Sequence, residues 1–301
     1  MKEVQVLLSS YNGEKYIKEQ IDSILAQQGV KVRLLVRDDG SKDGTKEILE
    51  EYRKKCSNVQ IIFGENKGVI DSFFELIEQA GEAEYFSFAD QDDVWLPEKL
   101  FRAVTLLSKE NNQLPLVYCS GKQLVDAGLK PIPAAITYRE VRTEFGNALV
   151  ENMCTGCTCV INNSLLKLLQ GKQPEFTIMH DFWIYFIGTC FGKVIYDEQS
   201  YILYRQHGNN ELGAASSLWD NYKRRIKNFK KHRGQLTKQA EELLRLYGKQ
   251  MSKENRELAE LLIKAKQSYS ARKALLKDGT VFRQRKSDDR LMKILILFGL
   301  I

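Results

Sequence analysis

The sequence predicts an α/β fold: a mostly parallel β-sheet with helices on both faces. Two observations predict it. Apolar runs of strand length alternate with helix-like segments through residue 90, and strands and helices succeeding one another at this spacing form a parallel sheet covered on both sides. Polar clusters follow the strands at their carboxyl ends, where open parallel sheets bind ligands.

The first strand is VQVLLSS (4–10), and a helix follows over EKYIKEQIDSILAQQ (14–28). VRLLVRD (32–38) is the second strand and DGTKEILEEYRKKC (43–56) its helix; VQIIF (59–63) is the third, before the helical VIDSFFELIEQA (69–80). The fourth strand is AEYFSFAD (83–90). Three clusters fall at strand ends: Ser10-Tyr11-Asn12, Asp38-Asp39-Gly40-Ser41 and Asp90-Gln91-Asp92-Asp93. They are expected to converge on one crevice. Later in the chain, HDFW (180–183) opens an apolar helical segment and IYDEQSYILYRQH (195–207) alternates like a strand.

Composition narrows the functional classes. With 301 residues, 43% hydrophobic and 28% charged, the chain is ordinary for a globular protein of one large domain or a domain with an appendage. MKEVQVLLSS is too short an apolar run for a secretory signal, and no stretch reaches the roughly 18 apolar residues of a spanning helix. Six cysteines are then expected to be reduced, and the protein cytoplasmic. Charge is uneven. From Trp219 onward there are 22 Lys and Arg against 9 Asp and Glu, a net of +13 in a chain whose total is +6. The Gly-, Asn- and Ser-rich HGNNELGAASS (207–217) reads as a linker, dividing a catalytic domain at 1–210 from a basic helical region at 218–301.

FADQDDVW (88–95) crowds Asp90, Asp92 and Asp93 into four residues. Carboxylates so close repel unless a divalent cation sits among them, and hard oxygen ligands suit Mg2+ or Mn2+. Diphosphate oxygens would complete such a shell, which points to a nucleotide. Neither GxxxxGK[ST] nor GxGxxG occurs, so a phosphate-loop nucleotidase and a dinucleotide dehydrogenase lack support. Asp93, ahead of Leu96-Pro97-Glu98, is also placed to cap the next helix.

Taken together, VLLSSYNGEKYIKEQIDSILAQ, VRDDGSKDGT, ENKGV and FADQDDVWLPEKL resemble, in order and spacing, the nucleotide-sugar domain of family 2 glycosyltransferases of the GT-A fold. TGCTCVIN (155–162), MHDFWIY (179–185) and YILYRQHGNN (201–210) resemble the bacterial rhamnosyltransferase-like subset, builders of cell-surface polysaccharides. The resemblance implies that Tyr11 stacks on a pyrimidine base, that Asp39 accepts the base N–H, and that Glu14 lies near base or ribose. Ser10, Asn12 and Asn66 join them in the nucleotide-sugar site, with Asp90 facing the ribose. Asp92 would bind the metal, His207 would give it a nitrogen ligand, and Arg205 would neutralise diphosphate. Asp181 matches the family's base, which takes the proton of the attacking acceptor hydroxyl. The usual Glu before that Asp is here His180, and His180 and Trp183 would wall the acceptor side.

The expected activity is inverting, metal-dependent transfer from a nucleoside-diphosphate sugar to a lipid-linked or polysaccharide acceptor. dTDP-rhamnose is the expected donor, with a UDP-hexose or UDP-N-acetylhexosamine as the rival. A nucleotidyltransferase would carry a Gly-rich basic loop after the first strand, which SSYNGEKY is not. An inactive membrane scaffold is the reading outside enzymes. Cys154, Cys157 and Cys159 lack a second CxxC pair and read as core. Nucleic acid is not expected as a partner, because no zinc finger, RNA-recognition signature or stacking sheet accompanies the basic tail. In that tail Trp219, Tyr222, Ile226 and Phe229 line one helical face between cations, and LMKILILFGLI (291–301) is too short to span a bilayer. Peripheral docking on the inner, anionic membrane face is expected, or contact with a second subunit.

Overall fold

The computed structural model describes residues 1–133, 138, 140–206 and 234–301. The predicted alternation is present: β1 (Glu3–Ser10), α1 (Ile17–Leu25), β2 (Lys31–Asp38), α2 (Thr45–Lys55), β3 (Val59–Phe63), α3 (Val69–Gln79) and β4 (Tyr85–Ala89). There follow β5 (Val94–Trp95), α4 (Lys99–Leu107) and β6 (Leu116–Val125), then α5 (Phe145–Ala148), a 3-10 turn at Gly156–Thr158, β7 (Val160–Asn162), α6 (Asn163–Leu169), α7 (His180–Phe191) and β8 (Lys193–Arg205). After the undescribed stretch come α8 (Gln235–Tyr247), α9 (Lys253–Ala265), α10 (Tyr269–Asp278) and α11 (Lys286–Leu297).

Eight strands form one sheet in the order β3-β2-β1-β4-β7-β6-β8-β5. The first four pair in parallel, Val4 with Val32 and Tyr85, and Leu34 with Val59. The chain builds outward from β1 to β3 and then returns to the other side of β1 for β4. That reversal opens a crevice beyond the carboxyl ends of β1 and β4, where doubly wound sheets bind ligands. Antiparallel β7 joins β4 to β6, and β8 runs parallel to β6 with register shifts around Gly121. A Cβ at Gly121 would lie 2.8 Å from the Glu198 carbonyl oxygen, so the bulge needs glycine there.

Burial follows the pleat. Val4, Val6 and Leu8 of β1 pack in one apolar cluster with Ile17, Ile21 and Ile24 of α1, the i, i+4, i+7 stripe of an amphipathic helix. On the alternate face, Phe73 of α3 meets Phe88 of β4 edge to face. Helix α7 is buried almost all round, from Phe182 to Ile187, as befits a central helix.

The chain divides into two compact units. The first comprises 1–139, 153–173 and 179–205 and contains the whole sheet; the second comprises 140–152, 174–178 and 206–301. Within the second unit, Asn147 donates from Nδ2 to Glu151 and to the Phe282 carbonyl, both at 3.0 Å, and Gln284 N–H donates to Glu151 at 2.7 Å. Gln239 of α8 accepts from Thr177 Oγ1 and Ile178 N–H at 3.0 Å. The excursion 140–152 is thus bonded to the loop between α10 and α11, and 174–178 to α8. The linker expected at 207–217, with the boundary drawn through it, lies outside the described residues, as do His207 and the stripe from Trp219 to Phe229.

Gly192 gives a test of the sheet. It follows α7, and a Cβ there would stand 1.7 Å from the Pro115 carbonyl oxygen, which accepts the N–H of Lys193 as β8 begins. Gly192→Ala is expected to destabilise the protein by about 1–3 kcal/mol or more through overpacking, read as a lower denaturation midpoint in urea. An unchanged midpoint would show that the chain turns there differently.

Candidate active site

The three strand-end clusters do converge, and hydrogen bonds lock their loops together. Asn12 takes a left-handed backbone conformation (φ 49°), which Asn tolerates better than most residues. Its N–H donates to Ser41 Oγ and its Oδ1 accepts from Lys42 N–H, both at 2.9 Å. Glu14 N–H donates to Asp43 at 3.1 Å, and its carboxylate accepts Gly44 N–H at 2.9 Å. Tyr11 and Gln91 exchange two bonds, Tyr11 N–H to Gln91 Oε1 at 2.7 Å and Gln91 Nε2 to Tyr11 O at 3.0 Å. Gln91 therefore ties the end of β1 to the acidic loop. Tyr11 as a residue is left 44% exposed at this junction, and Ser10 before it is buried.

Asp39 is more deeply engaged than its strand-end position implies. Its Oδ1 accepts Lys67 N–H and its Oδ2 accepts Gly68 N–H, each at 2.9 Å, while buried Arg37 pairs with Oδ1 and, at 2.8 Å, with Glu75. The exposed loop that carries Asn66 is thereby wrapped around this carboxylate. A carboxylate offers about four acceptor sites, so Oδ2 retains capacity for one further donor. Arg37 was not anticipated from the sequence, where VRLLVRD reads as strand with one charge too many.

The acidic loop lies at the centre. Asp90 and Asp92 are half-buried, and Asp93 is 1% exposed. Burial first, then the charges of Asp92 and Asp181, push the Asp90 carboxyl up to about 7, with Lys122 opposing. Asp93 is also held well above the usual range, by burial and then by Asp90 and Asp92. Asp93 does not cap a helix: α4 starts after Glu98 without a side-chain cap, and Asp93 instead accepts the Arg205 N–H at 3.1 Å. Two lysines stand behind the loop, and neither was anticipated. Lys99 is buried over the Trp95 ring, 3.5 Å from its centroid, and desolvation brings its ammonium down to about 7. Lys122 reaches Thr155 Oγ1 at 3.1 Å and covers the Tyr204 ring at 4.3 Å. It sits just past the Gly121 bulge, where strand alternation no longer tells which side a residue faces.

Arg205 corrects an expectation. Its guanidinium is buried, donates to the main-chain oxygens of Asp92 (2.7 Å) and Ala127, pairs with Glu19, and lies 4.4 Å over the Tyr16 ring. A charge so enclosed braces the acidic loop. His180 and Trp183 also differ from the acceptor wall expected of them. Both are packed in the core, with His180 stacked on Phe73 at 3.8 Å and burial holding its imidazole down to about 3. Asp181, one residue on, is half-buried in the first turn of α7, and its Oδ2 accepts the Gly156 N–H at 2.9 Å. A Cβ at Gly156 would meet His180 Nε2 at 2.8 Å. Glycine thus allows the close approach that fixes Asp181 beside Asp90.

The oxygen donors fit a hard divalent cation. Oxygen or sulfur atoms of Asp90, Asp93 and Cys157 lie within 4.8 Å of one another, and buried Asp93 Oδ2 has no N–H or O–H partner among the described residues. Cys157 is 1% exposed, with its thiol pushed up by burial and by Asp93 and Asp90. Cys157 is thus a neutral, enclosed thiol at the buried side of the loop. Asp90 and Asp92 present their carboxylates on the half-buried side of the loop. All six cysteines are free thiols and five are buried, among them Cys154, Cys157 and Cys159, which the sequence reads as core.

Two measurements test these electrostatics. A carboxyl whose folded pKa exceeds its unfolded value binds its proton more tightly when folded, so its contribution to stability falls as pH rises from about 4 towards 7. Asp90→Asn is accordingly expected to raise the melting temperature of the metal-free protein at pH 8 and to change it little at pH 4. His180 has the opposite sense: its folded pKa lies below its unfolded one, so stability is lost as pH falls below about 6.5. His180→Phe should flatten that acid limb, and an unaltered limb would show that His180 is not the buried neutral base.

Comparison with known proteins follows the same line. The profile described as glycosyl transferase family 2 matches residues 5–168. The dTDP-rhamnosyl transferase RfbG of Shigella flexneri is 32% identical over 235 residues, which is 72% of this chain and 77% of that protein. Residues 1–349 of S. aureus TarS, solved in complex with UDP-GlcNAc, superpose with a TM-score of 0.60 at 19% identity, covering 88% of this chain and 72% of that one. The mannosyltransferase PcManGT from Pyrobaculum calidifontis, solved with GDP-Man and Mn2+, superposes with a TM-score of 0.52 at 18% identity, covering 99% and 89%. The structural likenesses establish the GT-A fold. With a family profile spanning more than half of its residues, this chain belongs to glycosyl transferase family 2 and is a glycosyltransferase.

Proposed function

We propose that the chain transfers L-rhamnose from dTDP-rhamnose, with inversion, to a lipid-linked or growing polysaccharide acceptor. The observation that carries the donor assignment is the 32% identity with a dTDP-rhamnosyl transferase over most of both chains. The exposed Tyr11 ring offers a pyrimidine a stacking face, and Asp39 Oδ2 retains an acceptor site for its imide N–H. Asp90 and Asp92 would hold the divalent cation, whose chemistry when bound is to neutralise the diphosphate of the departing nucleotide.

Inversion requires the acceptor hydroxyl to attack the anomeric carbon opposite the leaving group. Its new C–O bond forms as the bond to phosphate breaks, and a base must take its proton. Asp181 suits this part, since one carboxylate oxygen is already fixed by Gly156 N–H and the group lies within electrostatic reach of Asp90. A UDP-linked donor is the second reading, favoured by the structural neighbour solved with UDP-GlcNAc.

Asp181→Asn keeps shape and removes basicity. It is expected to leave donor affinity unchanged while cutting turnover about 10²–10⁴-fold; loss of donor binding with full turnover at saturation would make Asp181 a binding residue. A panel of sugar nucleotides, screened for thermal stabilisation with Mn2+, is expected to single out dTDP-rhamnose, because ligands that bind only the folded state raise its melting temperature. Preference for a UDP-sugar would establish the second reading, and full transfer in chelator would remove the cation.

A further inference from the structure

We propose that the second unit docks on an anionic lipid bilayer through helix α11. The inference stands apart from donor chemistry, because it rests on residues of that unit alone. Leu291, Ile294 and Phe298 are 45%, 51% and 65% exposed and recur at intervals of three and four, so they form one ridge along the helix. The buried side is Met292 and Ile296. One helix therefore has two apolar faces, of which its own unit covers one.

Charge identifies what covers the other. Lys286, Arg290 and Lys293 are exposed, and at 100° per residue they fall along one flank of the ridge. Lys293 pairs with Asp289 at 2.7 Å, whereas Lys286 and Arg290 make no ion pair among the described residues. Across 264–301 there are 10 Lys and Arg against 3 Asp and Glu, a net of +7. A second copy meeting this face two-fold would set cations against cations. An apolar ridge with a cationic flank matches the boundary between acyl chains and anionic headgroups, with long basic side chains reaching the phosphates. No described helix is long and apolar enough to cross a membrane, so α11 would lie in the surface.

The test is co-sedimentation of the full chain with phosphatidylcholine vesicles with and without phosphatidylglycerol. Wild type is expected to pellet with the anionic vesicles only. The triple variant Leu291→Ser, Ile294→Ser, Phe298→Ser, altered only at exposed positions, should keep its melting temperature and bind about tenfold more weakly or worse. Lys286→Gln with Arg290→Gln should weaken binding about fivefold per charge. Wild type left in the supernatant, or equal binding by the triple variant, would overturn the proposal. So would a wild-type dimer in sedimentation velocity that the triple variant abolishes without any change in vesicle binding, since the ridge would then be a contact between copies. Transfer to a soluble acceptor analogue should be unchanged in the triple variant, which separates this outcome from failure of the rhamnosyl-transfer reading.

Discussion

The structure is organised around crowded negative charge. Asp90, Asp92, Asp93 and Asp181 approach one another in a half-buried place, and water no longer screens them fully. Such a group is tolerable only if something else supplies positive charge or holds protons. Both happen here. Lys122 opposes the rise at Asp90, and Lys99 lies beneath with its own ammonium weakened by burial. The remaining imbalance is taken up as protons on carboxyls, which a cation of suitable hardness would displace.

Holding that loop in place is the task of groups that spend their hydrogen bonds on its backbone. Arg205 bonds to the Asp92 main-chain oxygen through Nε and to the Asp93 carboxylate through its own N–H. Gln91 bonds to the backbone of Tyr11 in both directions. Bracing through the main chain fixes position without neutralising the loop carboxylates. The β2 side uses the same device in reverse. There Asp39 gathers the N–H groups of Lys67 and Gly68, and Arg37 behind it offsets a charge that is nearly out of solvent.

The fold was largely legible because β1 to β4 and their helices announce themselves by local pattern. VQVLLSS, VRLLVRD and VQIIF correspond to β1, β2 and β3 within a residue or so at each end. Their strand ends then located the acidic loop and its partners without further information. What was not legible depends on long-range packing. Nothing in YILYRQH tells whether Arg205 points outward to a phosphate or inward to Glu19 and Asp92, since that is decided by a loop 112 residues earlier. His180 and Trp183 share a segment with Asp181, yet a helix buried nearly all round leaves just one of the three half-exposed. Lys122 was hidden by the Gly121 bulge, and Lys99 by an apparently ordinary amphipathic helix start, LPEKL. A charged residue at a position that the apolar pattern would fill was the available signal in both cases.

The placement of Asp181 also constrains how catalysis and stability relate. The role proposed for Asp181 would require a rigid segment, because a base misplaced by even an ångström loses much of its effect, and the segment is held by burying His180 against Phe73 and Gly156. A glutamate in place of His180 would bury a fifth carboxylate in the core next to Asp181. The neutral imidazole avoids that charge and fills a core position instead. Histidine before Asp181 is thus compatible with an acidic loop that already carries three aspartates, and it transfers the cost to low pH, where the buried ring must either stay neutral or leave the core.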